Sequence, residues 1–155
     1  MLIPKKIFQT FETTQLPEGM SKACLSWKIK NPEWEYYFFD KNDRIEFIKK
    51  HFRKDVLQAY LTLIPGAFKA DLWRYCVLYI EGGVYVDADT ICELPLDNWI
   101  LGDAHFIATR DDPMAHNLFL RLYYTLYLHI YLTVLARYSL NKTFLFYLDN
   151  VLQFY

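Results

Sequence analysis

The chain has 155 residues, with 17 Lys and Arg against 18 Asp and Glu and a formal net charge of −1, which leaves no electrostatic case for a nucleic-acid partner. Hydrophobic residues make up 54% and charged residues 23%, so the chain is not disordered and is long enough for one folded domain with a real core. Cys24, Cys76 and Cys92 have no metal or redox spacing, and an odd count makes a poor disulfide framework, so reduced, partly buried thiols are expected.

Aromatic residues reach 19%, with 13 Tyr and 12 Phe, which favours strands and large core contacts. The N-terminal MLIPKKIFQ lacks a long apolar run, so no secretory signal is expected, and with it a cytoplasmic setting. Residues 5–10 (KKIFQT) make a first short strand after Pro4. A polar turn at 14–19 contains Pro17 and Gly19. Ser21 is placed to cap a helix reaching about Lys30, with Cys24, Leu25, Trp27 and Ile29 as its apolar positions. Asn31-Pro32 ends that helix, because a residue before proline avoids the helical region. The aromatic run WEYYFF at 34–39 is a second strand. Asn42 or Asp43 caps the next helix, which carries Ile45, Phe47, Ile48 and Phe52, and 55–63 make a further short one.

After Pro65 and Gly66 comes AFKADLWRYCVLYIEGGVYVDAD, residues 67–89. Leu72, Trp73, Tyr75, Cys76, Val77, Leu78, Tyr79 and Ile80 leave no polar face, so this helix is expected to be buried on most sides. Gly82 and Gly83 supply a left-handed cap, 84–87 form a strand, and HFIAT at 105–109 forms another. Helices alternating with short strands imply an α/β layered domain with a largely parallel sheet.

The chemistry is concentrated in 67–89. Asp87 and Asp89 fall on the same side of the strand if the extended conformation persists, at the carboxyl end where open α/β sheets bind ligands. Two carboxylates this close repel unless a positive group lies beside them, and a divalent cation sharing phosphate oxygens is the natural partner. A lone D-x-D is weak evidence and is equally a pair of solvated turn residues. Asp71 and Arg74 are three apart and share a helix face, either as a structural ion pair or as the edge of a polar pocket. Unpaired charges on so apolar a helix are expensive. In such a pocket Asp71 accepts from sugar hydroxyls and Arg74 offers planar donors to sugar or phosphate oxygens.

The pattern A-D-x-x-R followed by Y-x-x-G-G-V-Y-x-D-x-D resembles the glycosyltransferases with a DXD sugar-binding motif. These include family 32, the yeast-type mannosyltransferases that start outer chains and those that act on inositol phosphoceramide. The likeness extends to IPKKIFQTFET at 3–13, SWKIKNPEWEYYFFD at 26–40 and ICELPLDNW at 91–99, in order from about Ile3 to Arg110. The resemblance implies a GT-A type (Rossmann-like) fold, shortened relative to family catalytic domains, with a nucleotide-sugar-binding core over 1–112. It implies a metal and diphosphate role for Asp87 and Asp89, with Mn²⁺ or Mg²⁺, and a donor-sugar role for Asp71 and Arg74. Tyr85 falls beside the nucleotide, and Phe11 stands where the family often has a Trp stacked on the base. Phe8 occupies the usual His position and is expected to pack in the core.

The implied reaction is hexosyl transfer with retention from a nucleotide diphosphate sugar, GDP-mannose before UDP-hexoses, to a glycan or glycolipid hydroxyl. A catalytically inactive nucleotide-sugar or glycan binding module is the alternative, because the resemblance fades near Asp112. Residues 113–155 read as a divergent, aromatic-rich helical tail of the same domain. Its run LYYTLYLHIYLTVLA at 122–136 has no Asp, Glu, Lys or Arg but falls short of the roughly 20 residues of a membrane span. It reads as a core helix or as a peripheral membrane contact.

Overall fold

The computed structural model describes residues 3–98 and Ile100. They lie in the first of the two units into which the chain divides, Met1–Ala108. The expected strand at 105–109, the boundary at 112–113 and the apolar run at 122–136 lie outside the described residues.

The described sheet has three parallel strands in the order β2-β1-β3: β1 is Lys6–Thr10, β2 is Glu35–Phe39 and β3 is Val84–Tyr85. The chain leaves β1 for β2 through helix α1 (Glu18–Lys30). It then crosses to the far side of β1 through α2 (Lys41–His51), α3 (Lys54–Thr62) and α4 (Gly66–Glu81) before entering β3. The winding therefore reverses at β1. In parallel α/β sheets such a switch point opens a crevice at the carboxyl ends of the two strands that flank it, here β1 and β3.

Strand alternation explains the two cores. In register, Ile7 faces Tyr36 and Val84, and these join Ile3, Trp27, Trp34, Cys92 and Leu96 beneath α1. The next residue along, Phe8, faces Tyr37 and Tyr85, on the side of α2 and α4. There Phe8 stacks on Tyr37 at 5.4 Å, and Trp73 of α4 meets Phe39 at 4.7 Å and Tyr85 at 6.2 Å. Phe8 is 1% exposed, so the residue at the family's His position packs in the core as expected. Both faces of the strands are covered, the requirement for a parallel sheet.

Element ends differ from the expected ones for local reasons. Helix α1 starts at Glu18, directly after Pro17, whose carbonyl accepts from Ser21 N at 2.9 Å; Ser21 is inside the helix and caps nothing. Asp40, rather than Asn42 or Asp43, caps α2. Its carboxylate accepts from Asn42 N (2.7 Å) and Asp43 N (3.0 Å) while Asp43 accepts from Asp40 N, a reciprocal box. Helix α4 is not buried all round. Leu72, Trp73, Cys76 and Val77 form a buried stripe at helical spacing, but the stripe loses cover in the last turn, where Tyr79 is 58% and Ile80 36% exposed.

The glycine pair after α4 is required twice over. Gly82 and Gly83 have φ of 65° and 86°, a region side chains rarely enter. A Cβ on Gly83 would also lie 2.6 Å from the Lys6 carbonyl oxygen, so the turn packs directly against β1. β3 is shorter than expected. Its last ladder bond runs from Val86 N to Phe8 O at 3.1 Å, and the chain then turns.

Candidate functional site

Asp71 and Arg74 come from the middle of α4, and Tyr85 and Asp87 from β3 and the residues just beyond it. Alternation puts Tyr85 and Asp87 on the α4 side of the sheet. One Arg74 terminal nitrogen, Nη2, reaches both Asp71 Oδ1 (3.2 Å) and Asp87 Oδ1 (2.9 Å). The Tyr85 hydroxyl donates to the same Asp87 Oδ1 at 3.0 Å, and the Arg74 guanidinium lies 4.4 Å from the centroid of the Tyr85 ring. Helix and strand are thus tied together by one charged cluster at the carboxyl end of β3.

The cluster sets its own protonation. Burial opposes the Arg74 charge, but Tyr85, Asp87 and Asp71 outweigh it and raise its pKa above the ordinary arginine value. Burial, with Asp87 beside it, pushes the Tyr85 phenol above the ordinary tyrosine range. Tyr85 is therefore a neutral donor to Asp87, and Arg74 a fixed cation. Arg74 Nε is buried and has no acceptor among the described residues. A buried unmet donor costs about 1–3 kcal/mol, so a shift that brings Nε to an oxygen is favoured.

The expectation that an extended strand aligns Asp87 with Asp89 is corrected. Thr90 N donates to Asp87 O at 3.1 Å, closing a turn with Ala88 and Asp89 at its centre. Thr90 Oγ1 donates to the same carbonyl at 2.6 Å. A turn, not strand alternation, spaces the two carboxylates. Asp89 is exposed and makes no hydrogen bond or ion pair among the described residues. Phe11 follows β1 directly, half-buried, with its N–H bonded to Phe39 O at 3.3 Å. Arg74 therefore joins Asp71, Asp87 and Tyr85, and Tyr85 joins Asp87, while Asp89 and Phe11 follow β3 and β1 at the same carboxyl end of the sheet with no hydrogen bond or ion pair to that cluster.

Among the described residues no group of three or more His, Cys, Asp or Glu is gathered as a metal site. The donor chemistry nevertheless fits a hard cation. Asp87 Oδ1 is occupied by Arg74 and Tyr85, which leaves its Oδ2 and the Asp89 carboxylate as hard oxygens. Asp71 and Asp87 against the one guanidinium leave a formal charge of −1 in the cluster, and Asp89 adds an exposed carboxylate two residues on. Ions of the Mg²⁺ type bind through one or two carboxylates and complete their shell with phosphate oxygens and water.

The turn is held from below by residues to which the sequence assigned no role. Gln9 Nε2 donates to Asp87 O at 2.9 Å, Cys24 Sγ to Ala88 O at 3.4 Å and Trp27 Nε1 to Thr90 O at 2.9 Å. Ser26 Oγ accepts from Cys92 N at 2.8 Å and Asn31 Oδ1 from Leu96 N at 2.7 Å. These contacts give the SWKIKNP stretch a role: Ser26 and Trp27 of α1, with Asn31 just beyond it, hold the segment that follows the carboxylates. The signal was in the sequence as buried-type polar residues within apolar runs, but nothing in spacing names their acceptors.

A mixed α/β domain with a small parallel sheet and a charged cluster at its carboxyl end, over a D-x-D turn, is consistent with a GT-A-like glycosyltransferase domain. Residues 17–106 match the family described as "Glycosyltransferase sugar-binding region containing DXD motif", and the chain belongs to that family. It is 33% identical over 103 residues to an initiation-specific alpha-1,6-mannosyltransferase of Candida albicans, covering 63% of this chain and 27% of that protein. It is 36% identical over 98 residues to inositol phosphoceramide mannosyltransferase 2 of Schizosaccharomyces pombe, covering 63% and 28%. Against the putative glycosyltransferase HOC1 of Saccharomyces cerevisiae the identity is 31% over 100 residues, covering 63% and 25%. The chain thus spans about a quarter of the length of these curated relatives. No solved structure matches it.

Proposed function

We propose that the chain carries the donor site of a metal-dependent hexosyltransferase, with mannose from a nucleotide diphosphate sugar as the favoured cargo and a glycan or lipid hydroxyl as acceptor. The single observation that carries this reading is the bridging by Arg74 of Asp71 and Asp87, the latter two residues before the exposed Asp89. Two of the relatives are mannosyltransferases by name, which supports mannose as the sugar.

The chemistry supplied by a bound Mn²⁺ or Mg²⁺ is Lewis-acid stabilisation of the leaving diphosphate. Asp87 Oδ2 and Asp89 are the residues that would hold it. Asp71 accepts hydrogen bonds from sugar hydroxyls and fixes the ring, and such orientation is worth several kcal/mol of the barrier. Arg74 stays charged throughout and stabilises the negative charge that develops on the departing phosphate. Tyr85 keeps its proton and holds Asp87 in place. Phe11 offers a ring face to the base, with less area than a Trp and no N–H. No side chain here is assigned as nucleophile. With retention, the leaving diphosphate itself takes the acceptor's proton.

Hydrolysis of GDP-mannose and UDP-glucose in Mn²⁺, followed by release of the nucleoside diphosphate, tests this against an Asp89→Ala control. The transferase reading expects turnover that falls at least ~100-fold in the variant, the scale of losing an electrostatic group at the leaving charge. Binding without turnover in the unaltered chain identifies an inactive nucleotide-sugar binding module instead.

A further inference from the structure

The carboxylate turn is short, yet its carbonyls are gripped by side chains from two other elements. Asp87 O accepts from Gln9 Nε2, and Gln9 Oε1 in turn accepts from the Tyr36 hydroxyl at 2.7 Å. Gln9 is fully buried, on the α1 face of the central strand. Its amide is therefore locked at both ends: the phenol of β2 fixes the oxygen, which orients the nitrogen toward the turn. A buried glutamine in a parallel strand is costly unless every such bond is made. Two further carbonyls of the same turn are held from α1, Ala88 O by Cys24 and Thr90 O by Trp27.

Side chains on a turn inherit their direction from its carbonyls. Asp87 presents its carboxylate on the α4 side while its own carbonyl is anchored on the α1 side by Gln9. The peptide between Asp87 and Asp89 is thus clamped from beneath, and the separation of the two carboxylates is set by residues that touch neither. In metal sites the groups that orient the ligands matter nearly as much as the ligands.

We propose that Gln9 is a positioning residue for the divalent-cation site: its amide, set by Tyr36 and aided by Trp27, fixes the turn that presents Asp87 and Asp89. The proposal rests on the reading of those two carboxylates as cation ligands. It assigns a purpose to the Gln of the first strand and to the Trp of SWKIKNP, which sit far from Asp87 in sequence.

The test is Mn²⁺ binding by the full chain, followed by loss of the free-ion electron paramagnetic resonance signal, with near-ultraviolet circular dichroism on the same samples to establish folding. The variants are Gln9→Met, which keeps the volume and removes the donor, and Trp27→Phe, which removes one N–H from the neighbouring clamp. Removing an orienting partner typically weakens metal binding about 10–100-fold. Gln9→Met is expected to fall in that range and Trp27→Phe near its lower end, about 10-fold, both with a native spectrum. A folded Gln9→Met that binds Mn²⁺ as tightly as the unaltered chain overturns the proposal, whatever it does to the melting temperature. If Gln9→Met does not fold, Trp27→Phe decides: wild-type affinity there overturns it. Failure of the underlying reading looks different. The unaltered chain then binds no Mn²⁺, or binds it equally well as Asp89→Ala, and the proposal falls with it.

Discussion

Arg44 illustrates how a single buried charge is held. It is 1% exposed, and each nitrogen of its guanidinium has a partner: Nε reaches Tyr60 Oη at 2.8 Å, Nη1 reaches Thr10 Oγ1 at 3.1 Å and Nη2 pairs with Glu12. Thr10 passes the chain on to Phe39 O at 2.6 Å. Arg44 thereby ties α2 and α3 to the end of β1, on either side of Phe11. Removing it takes the donor from the Tyr60 hydroxyl and one of two bonds from Thr10, which keeps Phe39 O, while Glu12, half exposed, can turn to water. Arg44→Met is expected to lower unfolding free energy in urea by about 2–4 kcal/mol, below the full figure for breaking a buried pair because Glu12 escapes the penalty. Arg74 is different, since half of its pairing is to an exposed carboxylate and little stability rests on it. Arg74→Lys loses the planar fork, and kcat/KM for donor should drop at least ~10-fold with the melting temperature nearly unchanged. A matching loss of stability would mark Arg74 as a structural ion pair instead.

Elements were legible where local chemistry decides them and blurred where distant groups do. The β1 and β2 strands, α2 and the glycine-capped α4 follow from apolar period, aromatic density and turn residues, with ends moved by one to three positions. The misplaced starts of α1 and α2 share a cause. A Pro at the helix entrance and an Asp with a reciprocal partner three residues on both outrank a later Ser or Asn. The face shared by Asp71 and Arg74 was readable from their spacing, and so was the approach of β3, because a glycine pair leaves little other route. The turn at Asp87 was not readable: it is closed by Thr90 and by Gln9, and the second lies 78 residues away in sequence. Gly83 is the sharpest test at this scale. Gly83→Ala puts a methyl 2.6 Å from the Lys6 carbonyl at a φ of 86°, and should cost more than about 1 kcal/mol on conformation alone. Circular dichroism melting of Gly83→Ala beside Gly19→Ala, where nothing lies within 4 Å, separates the two. Equal melting temperatures would contradict the close packing of this turn on β1.

At the scale of the whole molecule, the fold keeps several ionisable groups neutral. Burial pushes the Cys76 thiol from 9.0 up to about 12, and burial raises the Tyr85 phenol as well. Between those thiol values the unfolded chain has released its proton while the folded chain retains it. Stability contributed by the neutral form is therefore complete below about pH 9 and is lost as pH rises toward 12. Urea midpoints should fall steadily across that window, and Cys76 should resist thiol reagents at pH 8; a flat profile would contradict its burial. Among the described residues no helix is long and apolar enough to cross a membrane. Thermal unfolding with GDP-mannose or UDP-glucose measures directly whether the cluster at the end of β3 receives a diphosphate together with a cation. A ligand at about 100 times its Kd adds about 2.7 kcal/mol to the folded state, and a chain of this size gains about 2–4 °C per kcal/mol. A rise of that order is expected in Mn²⁺, disappearing in EDTA and in Asp87→Ala and Asp89→Ala. No shift with either nucleotide sugar, or an equal shift in EDTA and in both variants, would contradict it.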